Sequence, residues 1–171
     1  MNTSTTHNQE LRRELLLTQA VNRHQDVLVK LATRAVLELL DRSKMKTSQL
    51  RNAVNVAQQE GASYDLVANF IRYKIATQEE SWGRAPDSFG HTVIGHLKNE
   101  VHAEAGKALE WLQKQTSDAV LPRGEELERD LYSLMLRRYM GYLVRSFAYY
   151  EKAEKKEDKL AAKLILQEAA K

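Results

Sequence analysis

Apolar positions recur along this chain at intervals of three and four, the spacing that gives a helix one buried face. Leu28, Leu31, Ala32, Ala35 and Leu39 keep that spacing and predict a helix over about residues 9–42, with Asn22 as the point where it divides in two. Residues 1–8 are polar and read as a flexible N-terminus. Thr47 or Ser48 suits an N-cap ahead of the stripe Leu50, Ala53, Val54 and Ala57, which ends at Gly61 as a C′ residue. Ser63 caps the next helix, with Asp65 favourable in its first turn and a stripe of Leu66, Val67, Phe70, Ile71 and Ile75. Residues 82–87 form a connector, and Pro86 suits the first position of the helix after it. That long helix, over about 87–115, carries Val93, Ile94, Leu97, Val101, Ala105, Ala108 and Leu112. Its glycines Gly90, Gly95 and Gly106 each cost about 1 kcal/mol relative to alanine, which points to close packing or an irregular start. After a turn at 116–122, the most hydrophobic helix runs from 122 to about 156 through Leu127, Leu131, Leu134, Met135, Leu136, Met140, Leu143, Val144 and Phe147. Residues 157–171 read as a charged C-terminal helix or tail. The expected architecture is all-α, a single-domain bundle of five or six helices spanning 9–156.

Composition narrows the function. The chain has 171 residues with 2 Pro, 7 Gly and no Cys, so one domain can bury a core without disulfides, and thiolate chemistry is excluded. No apolar run is long enough to span a membrane, and the first residues fit neither a signal nor a transit peptide, so no membrane partner and a cytoplasmic location are expected. The net charge is only +3, but its distribution is uneven. Acids are missing between Asp41 and Glu60, between Asp65 and Glu79, and between Asp130 and Glu151, while the first two windows carry both Arg and Lys and the third carries Arg137, Arg138 and Arg145. Such windows favour an anionic partner.

Tests for catalysis fail. None of the five histidines has Glu three residues before it, and no His-Glu-x-x-His occurs, so the motifs of di-metal bundles and zinc helices are missing. His91, His96 and His102 share a helix at spacings that turn them to different faces, and read as surface or half-buried residues. His96 and Glu100, four apart, fit a helix-stabilising pair. No nucleophile–base arrangement is legible. The expectation is no enzyme, no catalytic or metal-ligating residues and no cofactor.

Two faces fit a nucleic acid better. In the late helix Arg138, Tyr142, Arg145, Tyr149 and Lys152 are spaced 4, 3, 4, 3 and make one stripe of alternating base and aromatic, opposite the apolar set Leu136, Met140, Leu143 and Phe147. Arginine neutralises phosphates and tyrosine offers a stacking face, the pair of features used on single strands. Tyrosine beside arginine at a core boundary is also ordinary packing, so both readings stand. Around residue 47, Lys44 and Lys46 precede a helix whose Arg51, Asn55 and Gln58 share a side. Free N–H groups at a helix start beside lysines suit a phosphate; a solvated helix with a standard cap is the alternative. A helix-turn-helix is a third pattern, with 63–74 as recognition helix presenting Tyr64, Asn69, Arg72 and Tyr73.

Thr47-Ser48-Gln49-Leu50-Arg51-Asn52 after a basic loop resembles the hallmark of the small helical subunit of type III CRISPR effector complexes, the Csm-complex type. Tyr139-Met140-Gly141-Tyr142-Leu143-Val144 with Ala148-Tyr149-Tyr150 is similar to that family's closing aromatic helix. The resemblance implies a non-catalytic bundle that stacks in several copies along a ribonucleoprotein filament, beside other CRISPR effector subunits. It would hold guide and target RNA while its neighbours cut. It also implies that Arg51 and Gln49 face RNA with Arg138 and Arg145, and that Lys44 and Lys46 flank the backbone. Arg137 would instead pair with an acid such as Glu104 or with a neighbouring copy. The long N-terminal helix and the 151–171 tail exceed that family's compact core, and the connector at 82–90 matches no motif. The leading expectation is therefore an RNA-binding CRISPR subunit. A helix-turn-helix DNA-binding regulator and a helical protein–protein adaptor are the alternatives.

Overall fold

A computed structural model describes residues 3–40, 43–115, 124–153 and 155–171. Nine helical segments succeed one another there: α1 (Thr3–Asn22), α2 (Gln25–Leu39), α3 (Thr47–Ala57), α4 (Tyr64–Thr77), the single turn α5 (Glu79–Trp82), α6 (Phe89–Lys98), α7 (Glu100–Gln115), α8 (Glu125–Glu151) and α9 (Lys156–Ala169). No strand occurs among the described residues, so the all-α class holds. The expected five or six helices fall short because two long helices are divided, the single turn α5 precedes the connector, and the C-terminal segment is a helix of its own. α1 also begins at Thr3, inside the stretch expected to be flexible. The turn expected at 116–122, the helix start at Pro122 and the helix end at Arg42 lie outside the described residues.

α8 is the central element. Its 27 residues bury Leu131, Met135, Leu136, Tyr139, Met140 and Leu143 almost completely. It packs most extensively on α2, α3 and α7, and α1 and α9 also pack against it. Apolar residues around much of a helix's circumference demand cover on several sides, and the shorter helices supply it. α9 buries Ala162 and Leu166, with Arg34 Nε donating to the Ala170 carbonyl at 2.9 Å, and leaves Leu160, Leu164 and Ile165 exposed.

Polar contacts set the breaks. α1 parts from α2 at the expected Asn22, where the His24 N–H reaches back three residues to the Val21 carbonyl at 3.1 Å. The side chains there are then held from other helices. His24 Nδ1 lies 2.6 Å from Glu104 on α7, and the Arg23 guanidinium sits 4.9 Å from the Trp111 ring centroid. Glu104 is itself buried and accepts from Lys107 Nζ at 2.5 Å. Burial pushes its carboxyl pKa up, but the hydrogen bonds from Lys107 and His24 outweigh that, and the net shift is down. α6 parts from α7 at Asn99, whose φ of −106° and ψ of −70° bend an otherwise continuous helix.

Glu100 acts on His96 through charge, as their spacing suggested, but the hydrogen bond of the imidazole goes elsewhere. Its Nδ1 lies 2.8 Å from the hydroxyl of Tyr139, a fully buried member of the core. Burial lowers the His96 pKa and raises that of Tyr139 well above its ordinary value. An interior partner outcompetes a solvent-screened one on the same helix face.

The three glycines of the α6–α7 region divide by environment. A Cβ on Gly90 would stand 2.7 Å from Ile75 Cγ1 and 3.1 Å from the Trp82 carbonyl, so close packing requires glycine there. Gly95 and Gly106 have nothing within 4 Å of that position, and close packing does not explain them. Gly90→Ala is expected to lower stability in urea unfolding by about 1–3 kcal/mol through overpacking, whereas Gly95→Ala and Gly106→Ala should each raise it by up to about 1 kcal/mol.

Folding holds the Glu104 pKa below its ordinary 4.5, so its carboxylate adds stability that is complete above that value and lost as pH falls through the lowered one. In urea titrations from about pH 6 to pH 3, Glu104→Gln should be less stable than wild type at the upper end, with a shallower decline toward acid.

Candidate nucleic-acid interface

The late stripe lies on α8 as its spacing requires, but its two ends differ. Arg138 is half-buried, and its Nη1 donates to Asn22 Oδ1 at 2.6 Å, tying α8 to the end of α1. Tyr142 packs half-buried against the core, with the Arg145 guanidinium 5.7 Å from its ring centroid. Arg145, Tyr149 and Lys152 are exposed. Together they line a groove between α8 and α9, walled by the small side chains Ala148, Ala161 and Ala162, with Asp158 of α9 also lining it. Cation and ring therefore reach solvent over the last two turns of α8, while the first two members of the stripe serve packing. The packing reading fits the first two members, and the last three stand in solvent.

The start of α3 differs more from expectation. The helix begins at Thr47 itself, not after a Thr47 or Ser48 cap. Gln49 Oε1 accepts the Lys46 N–H at 2.8 Å, and the Thr47 N–H points at the Glu151 carboxylate, 3.2 and 3.3 Å from its two oxygens. The Thr47 hydroxyl donates to the same carboxylate. An N-terminus attracts the nearest anion, and here that anion is internal: the acid that closes the longest acid-free window. The place expected to receive a phosphate is thus filled by Glu151. Gln49 also turns inward, its Nε2 donating to Ser81 Oγ at 2.9 Å and to Gln78 Oε1 at 3.3 Å. It joins α3 to α5 and does not present itself to a ligand. Lys44 pairs with Glu80 at 2.9 Å, both side chains exposed. Lys46, Arg51 and Asn55 are exposed, the last two on the side of α3 away from Leu50, Ala53 and Ala57.

Among the described residues Arg137 pairs with neither Glu104 nor another acid; its Nη2 donates to the Gln59 carbonyl at 3.4 Å. The helix-turn-helix geometry is partly present. α3 and α4 pack together across Gly61, whose φ is +72°, and Ser63 accepts the Leu66 N–H at 3.3 Å as expected of a cap. α4 exposes Asn69, Arg72 and Tyr73, but Asp65 is exposed too, Tyr64 is half-buried, and the Lys74 ammonium lies over the Phe70 and Tyr73 rings. Among the described residues, no cluster of three or more His, Asp or Glu is arranged to hold a metal, and no helix is long and apolar enough to cross a membrane.

Sequence reasoning missed two contributors. Glu151 carried a signal, as the first acid after a long acid-free run. The alanines of the α8–α9 groove carried none, because nothing in their spacing indicates which helix lies opposite. No family model, curated protein or solved structure matches the chain.

Removing the internal carboxylate tests its role. Glu151→Ala is expected to cost about 1–3 kcal/mol in urea unfolding, since it leaves the Thr47 N–H and hydroxyl without their charged acceptor.

Proposed function

We propose that this protein is a non-catalytic, RNA-binding structural subunit of a type III CRISPR ribonucleoprotein, stacked in several copies and holding guide and target strands through a basic face. The observation that carries the reading is the exposed run Arg145, Tyr149 and Lys152 beside the α8–α9 groove, where cation and stacking ring reach solvent together. Arg51 and Asn55 on α3, with Lys46 just before it, form a second exposed set, within and beside the Thr47–Asn52 motif that carries the resemblance. Gln49 and Arg138 take a supporting part in this reading, Gln49 by bracing the start of α3 and Arg138 by fixing α1, while Lys44 stays paired with Glu80. A net charge of +3 suits a subunit that must lie against copies of itself, because a large charge would repel them.

Fluorescence anisotropy with labelled single-stranded RNA, RNA duplex and DNA duplex at two salt concentrations tests the reading. RNA affinity should fall steeply with salt and be insensitive to sequence. Arg145→Glu with Lys152→Glu should weaken it by about tenfold or more and reduce the salt slope by roughly 1.5, the loss of about two phosphate contacts. Tight, sequence-dependent binding of duplex DNA that is lost in Arg72→Glu would support the helix-turn-helix regulator instead. An RNA affinity and slope unchanged by the double reversal would remove the α8 face from the reading.

A further inference from the structure

The α8–α9 groove holds more than the basic run that carries the RNA reading, and the rest of its lining bears on which state of RNA fits it. It is an open groove of about 730 Å³, within the range of small-ligand clefts. Arg145, Tyr149 and Lys152 reach it from α8, and Asp158 and Ala161 from α9. By helix rise, Arg145 and Lys152 stand about 10 Å apart along α8, one on each side of Tyr149. Tyr149 is 49% exposed, and the other apolar side chains lining the groove are all alanine, so no large side chain fills the space beside the ring. Among the described residues, no carboxylate pairs with Arg145 or Lys152, and no cation pairs with Asp158.

Asp158 separates the candidate ligands. In a groove that bound phosphates alone, an acid would only repel them. A nucleic acid nonetheless offers it a partner, because every base carries an N–H group on its Watson–Crick edge. Pairing consumes those groups in a duplex, whereas an unpaired base leaves them free together with both ring faces. The groove thus presents three demands at once: phosphates for the cations, a flat face for the tyrosine and an N–H donor for the carboxylate. An unpaired nucleotide within a strand meets all three. Polyphosphate meets only the first, and duplex RNA brings phosphates while hiding its faces and edges inside the stack.

We propose that the α8–α9 groove takes one unpaired nucleotide of an RNA strand, its base stacked on Tyr149 and its Watson–Crick edge donating to Asp158. The phosphates on either side then lie at Arg145 and Lys152. This inference rests on the RNA reading above and adds a selectivity for strand state to it. Any base fits, since each has a π-face and an edge N–H, but a paired one does not.

The first test alters the RNA and leaves the protein as it is. Anisotropy compares a labelled single strand of mixed sequence with the same strand made abasic throughout, and with RNA duplex. The intact strand should bind about fivefold or more tighter than the abasic one, with equal salt slopes because the phosphates are the same. Tyr149→Ala should erase that difference, and Tyr149→Phe, which keeps a stacking face, should preserve it. Asp158→Ala should weaken the intact strand about twofold or more while tightening the abasic strand and the duplex, since losing an acid otherwise favours every polyanion. Asp158 and Tyr149 are both exposed, and an unchanged salt slope on duplex RNA checks that each variant is intact. If intact and abasic strands bind alike while Arg145→Glu with Lys152→Glu still weakens both, the RNA reading stands and the base-binding groove is wrong. An Asp158→Ala variant that gains as much on the intact strand as on the abasic one also overturns the proposal, as does a blocked acidic peptide that competes as well as the intact strand. Absence of binding to any RNA removes the RNA reading and this proposal with it.

Discussion

A helix of 27 residues, about 40 Å long and apolar around much of its circumference, has to be covered, and this need organises the molecule. α2, α3 and α7 take most of that surface, and α1 and α9 add to the cover. What stays open toward the C-terminal end of α8 is the strip bearing Arg145, Tyr149 and Lys152. The basic groove is thus a consequence of how the central helix is packed as well as of which residues it carries.

Several polar devices that look like ligand sites in isolation are consumed in holding this arrangement. Glu151 at the end of α8 caps the start of α3, Gln49 braces α3 against α5, and Arg138 fixes the end of α1. Each joins elements far apart in sequence, which makes them useful for orienting helices whose apolar contacts are not directional. The polar groups left over from this task are the exposed ones on α3 and on the last turns of α8.

Charge is segregated in the same way. Carboxylates gather around Trp82 at the end of α2 and the α5–α6 connector, while the α8–α9 groove combines two cations and a tyrosine with a single acid, Asp158. A nearly neutral protein can in this way offer two surfaces of opposite character.

The periodicity of apolar residues determined the helical class, the division at Asn22, the Ser63 cap and most of the core, because helix formation and one-sided burial are local in sequence. The order base–aromatic–base on α8 was legible for the same reason. Tertiary structure alone decided that Gln49 turns inward, that Glu151 fills the α3 N-terminus, that His96 meets Tyr139 instead of Glu100, and that Arg138 is spent on Asn22. These outcomes join positions from 32 to 116 residues apart, and for Gln49, Glu151 and His96 the partner taken is one that partial burial strengthens. Spacing along one helix shows which side chains point together; it carries no information about what the neighbouring helix brings to meet them.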